Sequence, residues 1–188
     1  MKQISNYKSW LFCIAMLLTT TWLSAQTATS IPRLVQEKGR YTLLVDDKPF
    51  FILGGQCGNS SNWPSMLPNV WNVMKEMHAN TLEIPIYWEQ VEPQEGKFDF
   101  SQVQLVLNQA RQNNMKLIFL WFATWKNGSN HYMPEWMKTD SKRYPNVIGK
   151  EGQEVDSPSP HCEEAMKADA KAFAKFMEYL KEADTQHT

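Results

Sequence analysis

The chain has 188 residues, with 19 basic and 20 acidic side chains and a formal net charge of −1. That length fits one domain, and the balance leaves no block of Lys and Arg to neutralise phosphates, which argues against a nucleic-acid or membrane-surface role. Eight Trp, nine Phe and six Tyr suit either a thick core or contacts with the C–H faces of sugars.

Residues 1–25 read as a secretory signal peptide. Lys2 and Lys8, with no acid, precede the apolar run from Trp10 to Leu18, and Leu23-Ser24-Ala25 offers a small residue for cleavage. The run is too short to span a bilayer. Trp10-Leu11-Phe12 lacks the small residues of a lipoprotein site at Cys13. The reading makes the protein exported, periplasmic or extracellular, with no membrane contact after cleavage. Export would place Cys57 and Cys162 in an oxidising compartment, where they either pair or stay free thiols.

Residues 26–33 read as a linker, and 34–188 as the domain. The runs Arg33 to Glu37 and Arg40 to Val45 flank Lys38-Gly39 and predict a small hairpin, with a turn at Asp46-Asp47-Lys48. Phe50 to Leu53 is a continuous apolar run closed by Gly54-Gly55, the pattern of a strand buried on both faces. Pro68 to Met77 predicts an amphipathic helix carrying Val70, Trp71, Met74 and Met77, with Asn80 as a left-handed exit.

Thr81 to Tyr87 is a second strand with Leu82, Ile84 and Ile86 on one face; Pro85 limits its ladder. Ser101 is expected to cap a helix to about Asn113, with Val103, Val106, Leu107 and Ala110 inward. Lys116 to Phe122 is a third strand. A long loop from Ala123 to Ser159 follows, then a helix from near His161 to Ala183 with Met166, Phe173, Phe176, Met177 and Leu180 inward. Strand and helix alternate three times, so a parallel α/β architecture follows. A doubly wound sheet and a barrel both fit that order, although Gly54-Gly55-Gln56-Cys57-Gly58 lacks the spacing of a dinucleotide fingerprint. His131 and His161 have nothing at metal-ligand spacing, so no metal is expected.

The most informative segment runs from Tyr87 to Phe100. Its Trp88, Glu92, Pro93, Gly96, Phe98 and Phe100 stand at fixed spacing. It resembles the W-x-x-x-E-P-x-x-G-x-[FY]-x-[FW] segment of barrel glycosidases of the β-galactosidase type, families 35 and 42. Gly54-Gly55-Gln56 with Trp63-Pro64, and Met133-Pro134-Glu135-Trp136-Met137, resemble further elements of the same families. The resemblance covers about residues 34–183. It departs from family 35 at Glu89 (Asn there), at Val91 (His there) and at Pro85, where that family has a sugar-contacting Tyr.

The resemblance implies an α/β fold of the (β/α)8 TIM-barrel type, truncated after about three strand–helix units and preceded by the short β-hairpin. It implies the N-terminal part of a retaining glycoside hydrolase acting on β-linked galactosides or related glycans; the alternative is a non-catalytic sugar-binding remnant. Such chemistry needs two carboxyl groups about 5–5.5 Å apart. In these families the acid/base is the Glu of an Asn-Glu pair ending the fourth strand. The chain contains no Asn-Glu dipeptide, so no catalytic residue is expected within it.

A carbohydrate substrate is the partner implied, and no cofactor is implied. Gln56 and Asn59 are candidates for binding hydroxyls. Trp88, Trp121 and Trp125 are candidates for stacking on a sugar, against core or loop packing. Glu89 is a candidate for touching substrate, against a salt-bridged acid. Glu92 is expected to orient its loop, Glu95 to be exposed, and Glu83 to point inward and pair with a cation.

Overall fold

A computed structural model describes residues 30–127 and 132–188. The signal-peptide reading, the start of the linker and His131 lie outside the described residues.

The first unit is an antiparallel sheet of β1 (Arg33–Glu37), β2 (Arg40–Val45) and β3 (Lys48–Pro49). Both connections are two-residue turns with positive φ, at Lys38 (50°) and Gly39 (77°) and at Asp46 (51°) and Asp47 (60°). That conformation matches the twist of a tight hairpin. Arg33 pairs with Asp47 at 2.6 Å across the exposed face. The expected hairpin is thus a three-stranded meander.

The second sheet is parallel, in the order β4 (Gly54–Gln56), β5 (Thr81–Tyr87), β6 (Lys116–Phe122). Its register runs from Thr81↔Lys116 to Tyr87↔Phe122. Helix α1 (Leu67–Glu76) links β4 to β5, and α2 (Trp88–Val91) with α3 (Ser101–Gln112) links β5 to β6. Because side chains alternate along a strand, Leu82, Ile84 and Ile86 turn toward the helices and are all buried. They meet Leu67, Trp71 and Met74 of α1 and Val103, Val106, Leu107 and Ala110 of α3. Among the described residues the three strands form an open sheet, not a closed barrel.

Several expectations need correction. Phe50 to Leu53 is not strand, and Phe51 is 83% exposed. The chain there is held by the side chain of Asn80 instead. Leu53 N–H donates to Asn80 Oδ1 (3.0 Å), and Asn80 Nδ2 donates to the Phe51 carbonyl (2.8 Å). Asn80 is therefore no left-handed cap; His78 holds that conformation, with φ 53°. Phe100, not Ser101, occupies the cap position of α3, and Asp99 Oδ1 accepts the Ser101 N–H at 2.8 Å.

The loop after β6 contains α4 (Glu135–Lys138) and the antiparallel pair β7 (Asn146–Ile148) and β8 (Glu154–Pro158). The last helix, α5, spans Glu163–Ala183 and buries Ala165, Ala172 and Phe176. Met166, Phe173 and Met177 remain 43–60% exposed, so only a narrow stripe of the expected apolar face is covered. After α5 the chain returns to the sheet. Leu117 N–H donates to the Thr188 carbonyl at 2.9 Å, and Arg111 pairs with Asp184 at 2.9 Å.

Candidate functional site

Loops that follow parallel strands gather at one end of the sheet, where barrel enzymes carry their chemistry. Here residues 57–66 follow β4, α2 follows β5, and residues 123–134 follow β6. Tyr87, the last residue of β5, ties these together. Its hydroxyl donates to the Asn59 carbonyl (2.6 Å) and accepts the Asn62 N–H (3.2 Å). Its ring stacks on Tyr132 with centroids 4.6 Å apart and lies 5.8 Å from Trp63. Burial pushes the Tyr87 phenol up to about 12; the Asn62 N–H opposes this, and Tyr132, Cys57 and Glu89 add to it.

Asn62 is fully buried. Its Nδ2 donates to the Pro85 carbonyl (2.7 Å) and to Gln90 Oε1 (3.3 Å), and its Oδ1 accepts from Gln102 Nε2 (2.7 Å). One side chain thus pins the loop after β4 to β5, α2 and α3. A buried amide satisfied on this many sides specifies one loop geometry. Ser60 Oγ lies 3.2 Å from the Tyr132 hydroxyl.

Glu92 does what the sequence suggested. It is 3% exposed. Its Oε2 accepts the Trp88 indole N–H and its Oε1 accepts the Gly96 N–H, each at 2.7 Å. The Glu92 carbonyl accepts Trp136 Nε1–H at 3.0 Å. Gly96 has φ 76°, a left-handed turn that suits glycine. Glu95 is exposed and pairs with Arg143 at 2.8 Å.

The structure sorts the remaining candidates. Gln56 is exposed at the end of β4, and Asn59 is half-buried beside it with its carbonyl on Tyr87. Glu89 lies at the strand ends, its carboxylate 3.6 Å from Lys138 and its N–H on the Tyr132 carbonyl. Trp88 is fully buried, with Trp136 edge-on at 6.0 Å and Trp121 tilted at 6.4 Å, so it has no ring face to offer a sugar.

Trp121 points to the helix side, because it alternates with Phe122 along β6. It stacks on Phe176 at 5.6 Å and donates its indole N–H to Asp169 at 2.8 Å; Thr124 also donates to Asp169, at 3.0 Å. Trp121 and the exposed Trp125 line a largely apolar groove of about 870 Å³ against α5. Trp121 thus lies on the helix side of the sheet, opposite the face that carries Tyr87 and Phe122. Glu83 is half-buried and forms no ion pair among the described residues, against its expected pairing with a cation. Cys57 and Cys162 are both free thiols, and burial pushes Cys57 up to about 11.

Sequence reasoning missed Tyr87, Asn62 and Tyr132 as parts of the site. Tyr87 was visible only as the end of an apolar strand, and Asn62 only as one polar residue in a polar loop.

Comparison with known proteins bears on this arrangement. Beta-galactosidase Pbg of Clostridium perfringens is 27% identical over 119 residues, which is 56% of this chain and 16% of that protein. Beta-galactosidase 11 of Arabidopsis thaliana is 25% identical over 118 residues, 55% of this chain and 14% of that protein. The chain thus spans a small part of the length of these relatives. Among solved structures, the exo-beta-1,4-mannosidase Op5Man5 from Opitutaceae bacterium strain TAV5 shares the fold. Its TM-score is 0.52 at 18% identity, over 73% of this chain and 23% of that one. The family model of glycoside hydrolase 42, described as beta-galactosidase, matches residues 57–178. That match takes in the Asn62 loop, the Tyr87 network and the Glu92 clamp, and the chain belongs to the glycoside hydrolase 42 family.

Proposed function

We propose that the chain forms the opening three strand–helix units of a (β/α)8 barrel, in an exported, retaining glycoside hydrolase that acts on β-linked galactosides. Its part is to shape one wall of the sugar site. The reacting carboxylates belong to later strands of such a barrel. The observation that carries the reading is the network at the strand ends, in which Tyr87, Asn62 and Glu92 fix three loops within the family-matched segment.

Among the described residues β6 stands at the edge of the sheet, and this supports the barrel part of the reading. Side chains and backbone groups alternate along a parallel strand. Lys116 donates its N–H to Asn80, on the β5 side, while Leu117 donates to Thr188, on the other side. Phe119 and Trp121 therefore turn their N–H and C=O groups to the edge that Thr188 begins to cover. A further parallel strand starting beside Leu117 would satisfy them, and the apolar groove under α5 would receive its side chains.

The test is to treat the purified chain with an aryl β-galactoside, and to follow methyl β-D-galactopyranoside and methyl β-D-mannopyranoside by two-dimensional NMR. Shifts at Gln56, Asn59 and Glu89 with the galactoside ahead of the mannoside, and no hydrolysis, are expected. Hydrolysis by this chain would overturn the placement of the carboxylates. A preference for the mannoside would overturn the galactoside assignment. Export is checked separately, by N-terminal sequencing of the mature protein, with cleavage after Ala25 expected.

A further inference from the structure

We propose that Trp63 is the sugar-stacking platform of the strand-end site, taking the C–H face of a galactopyranoside ring; the inference rests on the glycosidase reading above. A stacking residue needs a free ring face, a fixed orientation and a place beside the loops that follow the strands. Trp88 fails the first condition, being fully buried. Trp121 has one ring face already stacked on Phe176 at 5.6 Å and its indole N–H tied to Asp169, on the helix side of the sheet. Trp63 meets all three.

Trp63 is 44% exposed, which leaves part of its surface open to solvent. The other side is backed by Tyr87 at 5.8 Å, itself fully buried and stacked on Tyr132. The main chain is fixed on both flanks. Asn62, just before it, is held by Pro85, Gln90 and Gln102. Pro64, just after it, has its φ set by its own ring. The Trp63 carbonyl accepts the Met66 N–H at 2.8 Å, closing the turn into α1. With the main chain fixed on both flanks and Tyr87 behind it, the ring is presented from a set position, which lowers the cost of binding.

The chemistry favours a pyranose. The indole face carries the negative part of the ring quadrupole, and the C–H groups of a sugar are the positive complement. In a galacto-configured ring the axial O4 leaves a continuous patch of C–H groups on one face. In a gluco-configured ring the equatorial O4 breaks up that patch. Trp63 therefore sets a preference for galactosides as well as affinity. Gln56, exposed at the end of β4, supplies a polar group for the ring hydroxyls on the same side of the sheet.

The full chain is titrated with methyl β-D-galactopyranoside and methyl β-D-glucopyranoside, following the tryptophan indole N–H signals by NMR. The Trp63 signal is expected to move with the galactoside. Trp63→Ala is expected to weaken galactoside binding about tenfold, the scale of one aromatic contact. Trp63→Leu, which keeps apolar bulk without a ring, is expected to behave as Trp63→Ala. Trp63→Phe should stay within about threefold of the parent, and the margin of galactoside over glucoside should shrink in the Ala and Leu variants alone. A merely structural role would leave that margin unchanged. If Gln56 and Asn59 respond to galactoside while Trp63→Leu binds like the parent, the platform is wrong and the glycosidase reading stands. If neither sugar moves any strand-end signal of the parent chain, the reading falls and the platform with it.

Discussion

The Trp88 indole and the Glu92 carboxylate, one helical turn apart, are joined by a 2.7 Å hydrogen bond inside the protein. The same carboxylate reaches forward to the Gly96 N–H. Glu92→Ala would leave the buried Trp88 indole N–H without an acceptor, at a cost of about 1–3 kcal/mol, whereas the N–H of the exposed Gly96 can turn to water. Urea unfolding should show a loss of roughly 1–3 kcal/mol for Glu92→Ala and about half of that for Glu92→Gln, which keeps one acceptor oxygen. Equal, small losses in both variants would mean that the clamp contributes little.

Tyr87 gives the fold an alkaline sensitivity. Its pKa is raised from 10.0 to about 12 in the folded protein, mainly by burial. In the window between those values the unfolded chain has lost the proton that the folded chain keeps. Fewer protons are then bound in the unfolded state, so stability falls as pH rises. The contribution is fully present below pH 10 and is lost as the pH approaches 12. The urea midpoint of the parent should therefore drop more steeply over this window than that of Tyr87→Phe. At neutral pH the same variant should be less stable by about 1–2 kcal/mol, since the Asn59 carbonyl and the Asn62 N–H lose their shared partner.

Cys57 should be slow to alkylate. Burial, with a smaller push from the Glu83 charge, raises its thiol from 9.0 to about 11. The thiolate is the nucleophile, so the rate with iodoacetamide should stay low through pH 9 and climb only toward pH 11. Peptide mapping of the modified protein reads this directly. Rapid modification of Cys57 at pH 8 would contradict it.

Two adjacent glycines should respond differently to a methyl group. A Cβ at Gly54 would stand 3.0 Å from the Thr81 carbonyl oxygen, part of the backbone of β5. A Cβ at Gly55 would meet only the flexible Met74 and Met77 side chains, at 3.4 Å and 3.7 Å. Gly54→Ala should cost about 1–3 kcal/mol by forcing the strands apart. Gly55→Ala should lie within about 1 kcal/mol of the parent, because the stiffer unfolded chain offsets the tighter packing. Thermal unfolding of the two variants separates the cases.

Periodicity made β5, β6, α1 and α3 legible, because Leu82, Ile84 and Ile86 and the stripe of Val103, Val106, Leu107 and Ala110 each meet a partner surface that is present. The same rule failed at Phe50 to Leu53, where no described element covers the apolar run and Asn80 holds the backbone instead. It failed in part on α5, where Met166 and Phe173 border the open groove. At the site, Glu92 was readable because its partners lie four residues away on either side. For Trp88 and Trp121 the sequence left stacking on a sugar and packing as alternatives, because a residue at a strand end has its exposure decided by neighbours far along the chain.

The sequence by itself determined the order of strands and helices, their parallel direction and the spaced Trp, Glu, Pro and Gly residues that mark the family. These are properties of short segments, set by local spacing and turn chemistry. Only the tertiary structure decided which aromatic rings are spent in packing and which keep a free face. It brought Asn62, Tyr87 and Tyr132 together across as many as 70 residues, and it packed Trp121 against Phe176 of α5. The physical reason is that burial is a property of the assembled surface, and each ring's surroundings are supplied by segments whose separation in sequence carries no signal.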